Sequence, residues 1–180
     1  MAPDVWATIA AEAASESSLW AGALRPAGER EAAPVFSPLA DEHHALGLET
    51  IYEGYLLHYG RPRLFAPADD DTALLLGDYL YAHGLVRIAA LGDVRVVLDL
   101  AELISLCSQL RAEPAAPGGA DAEAWAATAA ALGHANGRLE AARAALRDHG
   151  DSELLARLAR EEAGPAAVAD ALRLHAERVL

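Results

Sequence analysis

Residues 73–91 carry only three strongly polar side chains, Asp78, His83 and Arg87. Such a stretch reads as a helix that is apolar nearly all round, and water penalises it unless other elements cover every side. It is therefore expected at the centre of the fold, with Leu75, Leu80 and Val86 in the core. The next stretch is patterned differently. Val96, Leu100, Leu103, Cys107 and Leu110 share one helical stripe, while Arg95, Asp99, Glu102 and Gln109 fall opposite. That is the signature of an amphipathic helix laying one face on a core, so Leu100 and Leu103 join the expected core.

The rest of the chain is punctuated for helices too. No long run alternates apolar and polar residues, and β-branched residues are scattered. Asp4 is placed to cap a helix through about Leu24, and Ser37-Pro38 reads as the cap and first residue of a helix running to Tyr59 and stopping at Gly60. Asp69 and Asp93 open the two helices already described, with Gly92 between them. Farther on, Trp125, Leu132, Leu139 and Leu146 recur every seven residues among alanines, but Gly133 and Gly137 leave open one kinked helix or two short ones. Ser152 opens a last helical stretch, interrupted at Gly164-Pro165. The expectation is an all-α compact helical bundle forming a single domain over residues 1–180, with a flexible loop at about 113–120 around Pro114 and Pro117.

Charge narrows the classes of partner. Fourteen Lys+Arg stand against 27 Asp+Glu, a net charge of −13, and no Lys is present. So acidic a surface is repelled by nucleic-acid phosphates and anionic membranes, so neither is an expected partner. No apolar run approaches the ~20 residues needed to span a bilayer, so no membrane insertion is expected. No basic segment followed by an apolar stretch marks a secretory signal, and the expected compartment is the cytoplasm. Cys107 is the only cysteine, which excludes an intrachain disulfide and reads as a small buried hydrophobe.

Three elements carry a resemblance. Gly60-Arg61-Pro62 is followed by Thr72-Ala73-Leu74-Leu75-Leu76-Gly77-Asp78-Tyr79-Leu80 and then by Leu91-Gly92-Asp93 with its amphipathic helix. In this order they resemble the central helices of trans-polyprenyl diphosphate synthases, over about 70 of the 180 residues, 39–111. The resemblance implies a partial isoprenoid-synthase-like fold and dimerisation through central helices. It also implies a DDxxD motif on the preceding helix, whose carboxylates hold Mg²⁺ and through it an allylic diphosphate.

The departures from that family are chemical. The DDxxD positions read Glu49-Thr50-Ile51-Tyr52-Glu53, and the two Arg that the family places before the glycine are His58 and Tyr59. Glu49 and Glu53 share a helix face, so the resemblance makes them a residual metal pair; read as residues alone they form a partly solvated face. Mg²⁺ bridging a diphosphate needs several close oxygen ligands in near-octahedral geometry, and one is missing here. No second DDxxD follows, no lysine can grip a diphosphate, and Leu24-Arg25-Pro26, similar to the family's basic element, stands too near Glu49. Loss of the cations that would neutralise a departing diphosphate implies a chain that does not catalyse by itself.

Other clusters read more plainly. Asp69-Asp70-Asp71 serves a helix start. His43 and His44, beside Asp41 and Glu42, would point to different faces of a helix, so no zinc site is expected there. Asp78, inside the most apolar helix, is expected to be buried in a structural role and hydrogen-bonded or paired, with His83 or Arg87 or, since neither is an i+4 partner, with a group from another helix. Tyr79 and Tyr81 read as packing residues.

The reading is a non-catalytic small subunit of a heteromeric polyprenyl diphosphate synthase, similar to those of hepta- and hexaprenyl systems. It would need no cofactor alone and would find Mg²⁺ in its catalytic partner. As partners, a homodimer or a heteromer with that catalytic subunit is expected. Two alternatives remain: a compact active prenyltransferase using Glu49, Glu53 and Mg²⁺, or a helical homodimeric interaction protein without an isoprenoid role.

Overall fold

A computed structural model describes residues 4–113, 119–134 and 137–179. Among these the fold is all-α, with two isolated bridges, Leu24 with Phe65 and Gly60 with Val179, in place of strands. Among the described residues nine α-helices follow one another: α1 (Val5–Glu16), α2 (Ser18–Ala23), α3 (Ala45–Tyr59), α4 (Asp70–Ala89), α5 (Val94–Ala112), α6 (Ala120–Ala130), α7 (Arg138–His149), α8 (Glu153–Ala163) and α9 (Pro165–Ala176). Most of the loop expected at 113–120 lies outside the described residues.

Several boundaries follow from local chemistry. The Asp4 carboxylate accepts from the Trp6 amide at 2.9 Å, Asp69 from Thr72 at 2.7 Å and Asp93 from Arg95 at 2.9 Å, as expected of N-caps. The first helix breaks earlier than expected, at Ser17, whose extended backbone lets its hydroxyl cap α2. Ser37-Pro38 opens only a short 3-10 turn, and α3 starts at Ala45 after a second such turn, Glu42–His44. Between α6 and α7, Gly133 and Gly137 both take positive φ, near +79° and +66°, so the heptad stripe runs over two short helices, with Leu132 in the turn after the first. Trp125, Leu132, Leu139 and Leu146 are nevertheless all buried.

The centre of the molecule is not where hydropathy placed it. The helix buried on every side is α3, from Gly47 through Leu57, together with α6 from Ala120 through Ala130. Helix α4 is peripheral: Leu75 is 57% and Val86 64% exposed, so neither is a core residue, whereas Leu80, Leu100 and Leu103 are. The reason is a close crossing. α4 packs more extensively against α3 than against any other element. A Cβ at Gly77 would come within 2.5 Å of His58 Nε2, and one at Gly84 within 2.4 Å of the Ile51 side chain. Leu76, Gly77, Leu80, Gly84 and Ile88 thus make one narrow face that fits backbone to backbone, Ala73, Tyr79, Tyr81 and Leu85 pack at its margins, and Leu74, Leu75 and Val86 turn outward.

Candidate functional site

Glu49 and Glu53, one turn apart on α3, point into the protein rather than to a partly solvated face: both side chains are at most 2% exposed. Between them lies Arg63, from the loop after Gly60-Arg61-Pro62, itself fully buried. Its Nε donates to Glu53 Oε2 at 2.9 Å and its Nη1 to Glu49 Oε2 at 2.5 Å. Nη1 also reaches the Ala33 carbonyl at 3.0 Å, and Nη2 the Glu49 carbonyl at 3.3 Å. The remaining carboxylate oxygens accept backbone amides: Glu49 Oε1 from Val35 and Ser37, both at 3.3 Å, and Glu53 Oε1 from Leu64 at 2.7 Å. The guanidinium carbon lies 4.6 Å from the Trp6 ring centre and 5.0 Å from that of Tyr52.

This arrangement does not fit a magnesium cage. The space between the two carboxylates is taken by a guanidinium, and all four carboxylate oxygens already have donors. Burial opposes the charge on Arg63, but Glu49 and Glu53 outweigh it and raise its pKa, so the cation is fixed in place. Thr50, standing where a second aspartate would be, donates to the Leu46 carbonyl at 2.6 Å and accepts from Arg87 Nη1 at 2.6 Å. Arg87 and His83 in turn hold Glu12 of α1. The positions that resemble the metal motif are therefore spent on tying α1, α3, α4 and the 60–65 loop together.

A second buried polar cluster was not legible in the sequence. The Tyr55 hydroxyl donates to Asp121, in the first turn of α6; Arg111 of α5 donates to the same carboxylate at 2.5 and 3.0 Å and to the Tyr55 oxygen at 2.9 Å. His175 of α9 lies 3.7 Å from Asp121 through Nε2, and its Nδ1 is 3.0 Å from the Tyr52 hydroxyl. Burial alone would push Asp121 up, but the facing His175 and Tyr55 and the Arg111 charge outweigh it and hold the acid well below the usual range. Burial, then Asp121, pushes Tyr55 far above its ordinary value. A His, an Asp and two Tyr invite comparison with catalytic sets. These, however, are held inside an aromatic stack: Phe36 lies parallel to Trp125 at 5.5 Å, and Tyr52 and Tyr55 meet Trp125 edge-on at 5.1 and 5.5 Å. The only sequence signals were Asp121 in the first turn of a helix and His175 in the last turn of another.

Other residues singled out fall as follows. Asp78 is exposed, not buried, though its partner does come from another helix: His58 Nε2 lies 3.2 Å away. Tyr79 stacks on Trp20 at 5.8 Å and Tyr81 on His58 at 5.2 Å, as packing residues do. Cys107 is buried, and burial pushes its thiol far up, away from reactivity. Asp70 and Asp71 are exposed in the first turn of α4, behind the capping Asp69. His43 and His44 do not diverge as on an α-helix. In the 3-10 turn their rings lie 3.8 Å apart, and with Asp41 they bring three ligand-type atoms within 4.8 Å of one another.

The outer surface of α4 and α5 forms the other prominent feature. Leu74, Leu75 and Val86 of α4, Leu91 in the connecting turn, and Val94 and Leu98 of α5 are all about half exposed or more. Ala82 and Ala89 continue the α4 part at helical spacing, interrupted by Asp78. No helix among the described residues is long and apolar enough to cross a membrane. Comparisons with family models, with curated proteins and with solved structures returned no match.

Proposed function

We propose that this chain is a small, non-catalytic subunit of a heteromeric polyprenyl diphosphate synthase, which docks on its catalytic partner through the outer face of α4 and α5. The observation that carries this reading is the set of exposed large hydrophobics on two consecutive helices, Leu75 and Val86 on α4 and Val94 and Leu98 on α5, within the segment that resembles the synthases. Several exposed large hydrophobics on neighbouring helices support an association surface more than single scattered apolar side chains would. Obligate interfaces are large and mostly apolar, like a core cut in half, and Leu74, Leu75, Val86, Leu91, Val94 and Leu98 would supply apolar area for one. The neutralised Glu49–Arg63–Glu53 set supports the non-catalytic half of the proposal, because a diphosphate-bound Mg²⁺ would need those carboxylates free. In isolation the same face would pair with a second copy. Mg²⁺ and both substrates would then be held by the catalytic partner.

The test is co-expression with the trans-polyprenyl diphosphate synthases encoded in the same genome. The expected result is co-purification with one of them and a change in the length or yield of its product. The chain alone, given Mg²⁺, farnesyl diphosphate and isopentenyl diphosphate, should make no longer product. Turnover by the isolated chain that is lost in Glu49→Gln or Glu53→Gln would instead establish the compact prenyltransferase. Failure to bind any such synthase, with self-association intact, would leave a helical homodimer without an isoprenoid role.

A further inference from the structure

The 3-10 turn leading into α3, with the Asp41 that precedes it, brings together three side chains of metal-ligand type. One nitrogen each from His43 and His44 and one carboxylate oxygen from Asp41 lie within 4.8 Å of one another. The turn that brings them together is fixed by the His44 amide, which donates to the Asp41 carbonyl at 2.9 Å. His44 is 5% exposed, and its Nδ1 is buried with no hydrogen-bond partner among the described residues. A buried imidazole nitrogen without a partner is costly, and a cation is one group that can take up its lone pair. Asp41 and His43, in contrast, are exposed, so an ion could enter from solvent and the two outer ligands could swing onto it.

We propose that Asp41, His43 and His44 form a binding site for a divalent transition metal of the zinc class, unrelated to the positions that resemble a magnesium motif. Two imidazoles and a carboxylate are the donor set that suits zinc, whereas magnesium prefers oxygen ligands and keeps its waters. Tetrahedral bonds of about 2.0–2.1 Å put ligand atoms ~3.3 Å apart. The spread of at most 4.8 Å therefore closes with side-chain movements on the order of 1 Å, which exposed Asp41 and His43 can make. The fourth position would fall to water. Bound there, the ion would clamp the entry to α3.

Titration of the purified full chain with Zn²⁺ by calorimetry, under a large excess of Mg²⁺ to occupy exposed carboxylates, tests this. The expected result is one saturable site per chain and a higher unfolding temperature with zinc. Loss of even an outer-shell partner costs about 10–100-fold in metal affinity, so His43→Ala and Asp41→Asn should each weaken binding by at least about tenfold. Both positions are exposed, and far-ultraviolet circular dichroism checks that the variants fold. If either does not, Co²⁺ absorption of the wild-type protein decides, with intense tetrahedral bands in support and weak octahedral bands against. No saturable zinc binding under excess Mg²⁺, or binding equally tight in both variants, overturns the proposal.

Discussion

Helices α3 and α4 pack against each other along most of their lengths, yet they invert the usual rule of polar outside and apolar inside. α3 is buried on all sides and carries two carboxylates into the core; α4 is half exposed and turns Leu74, Leu75 and Val86 to solvent. The two anomalies are resolved differently. On α3 the charges meet Arg63 and three backbone amides inside the same chain, so the helix is complete as it stands. On α4 nothing within the described residues covers Leu75 or Val86. A buried polar group that is satisfied speaks of structure; an exposed apolar face that is not satisfied speaks of a partner.

The largest expected effect strikes the satisfied side of that comparison. Arg63→Ala should destabilise by about 3–5 kcal/mol, because it strands two buried carboxylates. Urea unfolding measures it, and a loss under about 1 kcal/mol would mean that the set is not buried as described. The triple change Arg63→Met, Glu49→Gln, Glu53→Gln removes the charges together and should recover most of the loss.

Next comes the crossing that pushes α4 outward. Gly84→Val adds a branched side chain where a bare Cβ already meets Ile51, and should cost at least about 1–3 kcal/mol through overpacking. Gly22→Ala, where a Cβ meets nothing within 4 Å, is the control and should not be destabilising. Equal losses would mean that the close approach of α3 and α4 is not what orders them.

Hydropathy carried the reading of the sequence far but not through this crossing. Helix content, the caps at Asp4, Asp69 and Asp93, and the buried stripe of α5 follow from local pattern, and the pattern showed them. The placement of α4 depended on Gly77 and Gly84, which an apolar count treats as neutral and which in fact define its inner face. The direction of Glu49 and Glu53 depends on Arg63, fourteen and ten residues away in a loop, a distance at which no helical spacing rule applies. Glu42–His44 is a 3-10 turn rather than α-helix, so His43 and His44 do not take the divergent faces that α-helical spacing predicts.

The smallest expected effect is one of pH. Burial lowers the pKa of His58, with Asp78 opposing less strongly, and burial also lowers that of His44. A histidine whose folded pKa lies below its unfolded value of about 6.5 binds fewer protons folded than unfolded in that interval. Its contribution is therefore present above ~6.5 and is lost as pH falls through the folded value. Unfolding midpoints should decline modestly between about pH 7.5 and 5.5. The decline should be shallower in His58→Gln and steeper in Asp78→Asn. An unchanged slope in both would show that this contact between α3 and α4 does not titrate with folding.

The unsatisfied side of the comparison is tested most directly by sedimentation velocity of the wild-type chain and Val86→Asp at micromolar concentration, alone and mixed with a trans-polyprenyl diphosphate synthase from the same genome, the proposed partner. Val86 is 64% exposed, so the variant should keep wild-type stability within about 0.5 kcal/mol. The wild type should sediment as a dimer alone and as a larger heteromer in the mixture, and Val86→Asp as a monomer in both. A wild-type chain that runs as a single species near 18.9 kDa in both samples would contradict the claim that the α4–α5 face exists to be covered by a partner.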